Sequence, residues 1–228
     1  MNTPLIALFL LMTPEALAVV QAPVAEQPDA EYQACIDGVH QDVEKGRAAA
    51  LEWVADGGGA PAEHCLAVAD LAAGFPKLAA IRLQELGEKP EAGDNFIRAR
   101  ILSQSALAWI EADEPEQAQA AIDEAFILAP GAEELYLTAA AVHAANNRQQ
   151  ATIDAVTKAE EAGFTSVRGY NLRARARMTL SQYREAANDV VAALSVDPFN
   201  LDALVLRGEL AQAGIDIGAN YQRADKPK

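Results

Sequence analysis

From Ala99 onward the sequence returns to the same chemistry every 34 residues, and that period leaves few folds open. With units starting at Ala99, Glu133, Val167 and Leu201, the fourth place holds Leu102, Tyr136, Tyr170 and Leu204. The eighth holds Ala106, Ala140, Ala174 and Gly208. The twentieth holds Ala118, Thr152 and Ala186, the twenty-fourth Ile122, Val156 and Val190, and the twenty-seventh Ala125, Ala159 and Ala193. Pro130, Phe164 and Pro198 share the thirty-second place, and three periods pass without an insertion. A unit of this length is one supersecondary element that cannot bury its own apolar face, so neighbours must stack to make a continuous core.

Each unit reads as two antiparallel helices. Asp113-Glu114-Pro115 offers a capping residue and an early proline for a second helix, while Ser166 and Asn200 are suited to cap the first helices that follow them. Alanine at places eight, twenty and twenty-seven lets helix backbones approach closely. The composition agrees: the chain is 51% hydrophobic but only 6% aromatic, which suits close helix packing better than one bulky core. The last unit has a first helix over 201–213, and Gly214-Ile215-Asp216-Ile217-Gly218 rules out a second, so this helix closes the array and 214–228 is a tail.

Upstream, helices are expected at 30–41, 43–55, 61–73 and 76–87, with Asp56-Gly57-Gly58-Gly59-Ala60-Pro61 and Gly74-Phe75-Pro76 as turns. The pair 61–87 fits the same template, with Leu66, Ala67, Ala79 and Leu83 at places seven, eight, twenty and twenty-four, whereas the first pair fits loosely. Residues 30–88 therefore read as degenerate capping hairpins. Between them and the array, a spacer at 89–98 shifts the register by 39 residues instead of 34, through either a backward extension of the next helix or a kinked joint. At the start, Leu5 to Met12 is an apolar run followed by Ala16-Leu17-Ala18, a small-x-small cleavage pattern. Residues 1–18 thus read as a signal peptide and 19–29 as a linker, with export to the periplasm expected and no membrane insertion once the leader is removed.

The pattern resembles the tetratricopeptide repeat family, across 99–213 and again across 61–87, in the manner of exported bacterial members. It departs at place eleven, where the family's aromatic is replaced by Trp109, His143, Arg177 and Ala211, and at place seven, where Arg173 and Arg207 stand in for leucine. The resemblance implies an all-α solenoid of helical hairpins, a right-handed superhelix whose concave face binds peptides or protein segments, and no catalysis. It also implies that places two, five and nine of each first helix line the groove. These are Arg100, Ser103 and Leu107, then Glu134, Leu137 and Ala141, then Arg168, Asn171 and Arg175.

That last set belongs to a run against the overall charge. The chain carries -15, which disfavours nucleic acid and anionic membrane as partners. Yet Arg168, Arg173, Arg175, Arg177 and Arg184 fall within 17 residues. Arginine holds carboxylates bidentately, so a protein or peptide partner with acidic residues or a free carboxylate is one reading. The other is that these arginines pair with Glu185, Asp189, Asp202 and Glu209 to hold the stack together. Self-association through the repeat ends and Ile215-Asp216-Ile217 is an alternative to partner capture, as in a structural, self-assembling envelope component.

Reactive groups are few. Cys35 and Cys65 would lie on first helices of adjacent hairpins, a geometry for a disulfide; two free thiols are the alternative. A metal site using His40 and His64 is disfavoured because His64 and Cys65 are adjacent and point about 100° apart on a helix. Gly57-Gly58-Gly59 lacks the Gly-Lys-Ser/Thr of a phosphate loop. His143 has no nucleophile near it in its helix and takes a packing position. No cofactor or metal is expected, and no enzyme.

Overall fold

The structure is a computed structural model, and it describes residues 30–217. The expected leader, the linker and the end of the tail lie outside them. Among the described residues there are eleven α-helices, one short 3-10 turn and no strand. They form α1 (Ala30–Gln41), α2 (Val43–Ala55), α3 (Gly59–Ala72), α4 (Pro76–Glu88), α5 (Asn95–Glu111), α6 (Pro115–Leu128), α7 (Leu135–Ala145), α8 (Gln149–Glu161), α9 (Val167–Thr179), α10 (Tyr183–Val196) and α11 (Leu201–Gln212). Each odd-numbered helix up to α9 packs on the even one that follows, and α11 has no such mate.

The small residues of the period make this packing possible. Ala106, Ala140, Ala174, Ala118, Thr152, Ala186, Ala125, Ala159 and Ala193 are all fully buried. Leu102, Ile122 and Val190, the larger residues of the template, fill the space the alanines leave, at the density of a protein interior. First helices also contact the next first helices, α5 with α7, α7 with α9 and α9 with α11, while no second helix packs extensively on the next. The stack therefore curves with its first helices on the inner side.

The spacer resolves into both of its expected forms. Pro90–Ala92 makes the 3-10 turn, and α5 extends backwards to Asn95, capped by Asp94, whose side chain accepts from the Ile97 amide at 2.9 Å. Arg98 then turns back and donates to the Gly87 and Glu88 carbonyls at 2.9 Å, satisfying the end of α4. Gly87 is required here, since a Cβ on it would lie 2.7 Å from Leu102.

Three details differ from expectation. Helix α3 begins at Gly59, so Pro61 sits third but still within the first turn, where an amide proton is not needed. Asp113 does not N-cap α6; it follows Ala112, the C-cap of α5, with a left-handed φ of 59°, and the N-cap of α6 is Glu114, which makes no side-chain bond there. Ile215 and Ile217, weighed as a docking surface for another copy, are partly buried against the C-terminal cluster with Leu206 and Leu210. Ser166 and Asn200 do cap α9 and α11, accepting from the Gly169 and Ala203 amides at 2.9 and 3.0 Å.

Candidate functional site

The inner face between α9 and α11 opens into a cleft of about 560 Å³, lined by Val167, Arg168, Asn171, Leu172, Arg175, Asn200, Asp202 and Leu206. Places two, five and nine of α9 all fall in it, and so does the start of α11. Its floor is apolar, from Val167, Leu172 and Leu206, and its walls are polar. Arg168 and Arg175 are exposed, and Arg175 reaches only to 3.9 Å from Glu209.

Asn171 sits between the two arginines and is held in one orientation. Asn200 uses its Oδ1 to cap α11, and Asn171 Nδ2 donates to that same oxygen at 2.9 Å. The amide oxygen of Asn171 is then left buried beneath the cleft lining and without a hydrogen-bond partner. An acceptor in that state favours a ligand that brings an N–H.

The other arginines of the run are occupied elsewhere. Arg173, at place seven, is buried; it donates from Nε to Asp189 Oδ1 at 2.9 Å and from Nη1 to Glu160 Oε2 at 2.7 Å. Burial works against its charge, but the bonds to Asp189 and Glu160 outweigh it and hold the guanidinium above its ordinary pKa. Arg177 donates to Asp189 Oδ2 at 2.7 Å and to the Glu185 carbonyl at 3.3 Å. Asp189 is thus a buried hub joining α9 to α10. The pairing reading describes Arg173 and Arg177 and, through Glu209, Arg175 as well; Arg168 and Arg175 line the cleft, and Arg184 is exposed on α10.

The remaining candidate residues divide by place. Arg100, at place two of α5, is exposed. Place five proves to be a joint between units: Ser103 Oγ donates to Thr138 Oγ1 on α7 at 2.8 Å, Leu137 lies under Gly169 of α9, and Asn171 reaches Asn200. Sequence reading missed the α11 wall of the cleft, Asn200, Asp202 and Leu206; the capping role of Asn200 was the available signal.

At the other end, Cys35 and Cys65 form a disulfide with Cα atoms 6.4 Å apart, linking α1 to α3. His64 joins neither cysteine. Its ring bonds Tyr32 and Gln104 instead, while His40 lies exposed at the end of α1. His143 is half-buried with Nδ1 unpartnered. A second cleft, of about 570 Å³, lies on the far edge between the Gly74–Pro76 turn and the end of α5, floored by Phe75, Leu78 and Ile81.

No family model matches the sequence, and no curated protein matches it. Among solved structures, a thermophilic tetratricopeptide-repeat protein of Thermus thermophilus aligns with 80% of this chain and 98% of its own. The identity is 18% and the TM-score 0.58. The tetratricopeptide-repeat domain of Arabidopsis OM64 is 26% identical, covering 52% of this chain and 98% of its own, with a TM-score of 0.49. The Thermus likeness, with the all-helical stack, gives the fold as a tetratricopeptide-type solenoid.

Proposed function

We propose that this chain is a non-enzymatic interaction scaffold that holds a segment of a protein partner along its inner face, anchored in the α9–α11 cleft. The observation that carries this reading is the pair of exposed arginines, Arg168 and Arg175, on either side of the unpartnered Asn171 oxygen. Two guanidinium groups over an apolar floor suit a segment bearing carboxylates, from acidic side chains or a free terminus. The Asn171 oxygen would accept an N–H of the same segment. We place this activity in the periplasm of a Gram-negative bacterium; the apolar run at 5–12 and the Cys35–Cys65 disulfide support an oxidising, extracytoplasmic setting.

Replacing Arg168 and Arg175 with alanine removes charge from an exposed wall and leaves the core intact. Each substitution is expected to weaken capture of the partner by roughly tenfold, the scale of a hydrogen bond to a charged group. Pull-down from envelope extract, with crosslinking and mass spectrometry to identify what is held, measures this. Capture unchanged in the double variant overturns the groove assignment.

A further inference from the structure

Place five of each first helix meets the next first helix in the stack. Ser103 does so through Thr138, Leu137 through Gly169, and Asn171 through Asn200. On α11 the same place is Val205, 46% exposed, and among the described residues no helix follows for it to meet. The eighth place tells the same story. Ala106, Ala140 and Ala174 are fully buried, whereas Gly208 has nothing within 4 Å of where a Cβ would stand. A joint surface is therefore built on α11 and left open, a stripe of Leu201, Val205, Gly208 and Gln212 rising at helical spacing, with Leu201 74% exposed.

We infer that this stripe is the two-fold interface of a homodimer, α11 of one copy packing antiparallel on α11 of another. The stripe is self-complementary in shape. Centred between Val205 and Gly208, antiparallel pairing sets the large Leu201 and Val205 of one copy opposite Gln212 and Gly208 of the other. Ridge then meets groove across an isologous contact. Phe199, 78% exposed beside the start of α11, adds apolar area at the rim.

Charge selects this end for a second copy. Residues 30–166 hold twenty-three carboxylates against nine Lys and Arg, so two copies repel there. Residues 167–217 hold six arginines and six carboxylates and are neutral. The chain's own 218–228 segment is a poor alternative occupant, because Tyr221 is its one large apolar side chain.

Sedimentation equilibrium of the purified full chain across the micromolar range tests this. A reversible dimer is expected, and Val205→Glu should raise its dissociation constant by roughly tenfold or more. Gly208→Phe should do the same without lowering the melting temperature of the monomer, since the site is open. This second variant separates loss of the interface from loss of the fold. A monomer at every concentration, or a dimer indifferent to both substitutions, overturns the inference. So does a monomer whose α11 amides lose exchange protection when residues 218–228 are deleted, which would assign the stripe to the chain's own tail. The stripe contains neither Arg168 nor Arg175, so its failure would leave the groove reading untouched.

Discussion

At His64 one imidazole joins three first helices, with Nε2 lying 2.7 Å from Gln104 Oε1 on α5 and Nδ1 lying 3.0 Å from the Tyr32 hydroxyl on α1. An amide oxygen only accepts, so Nε2 carries the proton and Nδ1 accepts from Tyr32. Burial holds this imidazole below its ordinary 6.5; the Gln104 bond opposes the shift and the Arg100 charge adds to it. With the folded pKa depressed, the unfolded chain takes up the proton first. The contribution of His64 is therefore present above the ordinary value and lost as pH falls through the folded one. His143, depressed by burial and by Arg148, acts in the same sense. Thermal melting followed from pH 7 downward should fall with acid, and His64→Gln should flatten that slope. An unchanged slope in the variant would place the acid sensitivity elsewhere. Side-chain convergence of this kind is hard to read from sequence. Asp189 is among the acids expected to pair with the arginine run, yet that Arg173 and Arg177 converge on this one carboxylate from another helix is visible only in three dimensions. Asp70 on α3 gathers Arg47 of α2 and Arg82 of α4 at 2.6 and 2.7 Å, and no local spacing announces it.

At the scale of elements, the turn inside each hairpin repeats as faithfully as the helices do. Gly74, Asp113, Asn147 and Ser181 occupy the same place of the template and share a left-handed φ of 80°, 59°, 56° and 60°. The residue after each bonds five positions back, as Glu114 does to Trp109 and Gln182 to Arg177, which closes the preceding helix in a Schellman-type end. Glycine adopts this conformation without strain, asparagine and aspartate tolerate it, and serine is the least suited of the four. Ser181→Gly is accordingly expected to stabilise the fold by about 0.5–1 kcal/mol, seen as a higher urea midpoint at unchanged slope. A lower midpoint would show that the serine side chain contributes something the backbone does not require. The helices were legible because alanine recurs wherever two backbones touch. The turn was legible at Gly74 but its recurrence was not, because four different residues occupy it, and Asp113 two residues before a proline imitates an N-cap.

At the scale of the molecule, the apolar interior of the described residues divides into three clusters, one under α1–α3, a large one from α3 to α8 and a third under α9–α11. The 34-residue period made the second and third legible. The first follows different rules, as Gly46 shows: a Cβ there would lie 2.5 Å from the Val39 backbone, so α1 and α2 meet through glycine rather than through the alanine scheme. The groove was legible only along α9, because its opposite wall comes from the helix that closes the stack. The disulfide spans 30 residues of that irregular first region. When the chain is stretched between its ends, helical hairpins peel away one after another, but the segment inside the cross-link cannot pay out. Optical-trap extension should therefore release roughly 100 Å less contour length than the same experiment under reducing conditions, taking about 3.3–3.6 Å per residue. Equal lengths would mean that the bridge does not form. A scaffold anchored by its amino-terminal side would thus keep the stretch between Cys35 and Cys65 short under load, whatever length the rest of the array adds as it unravels.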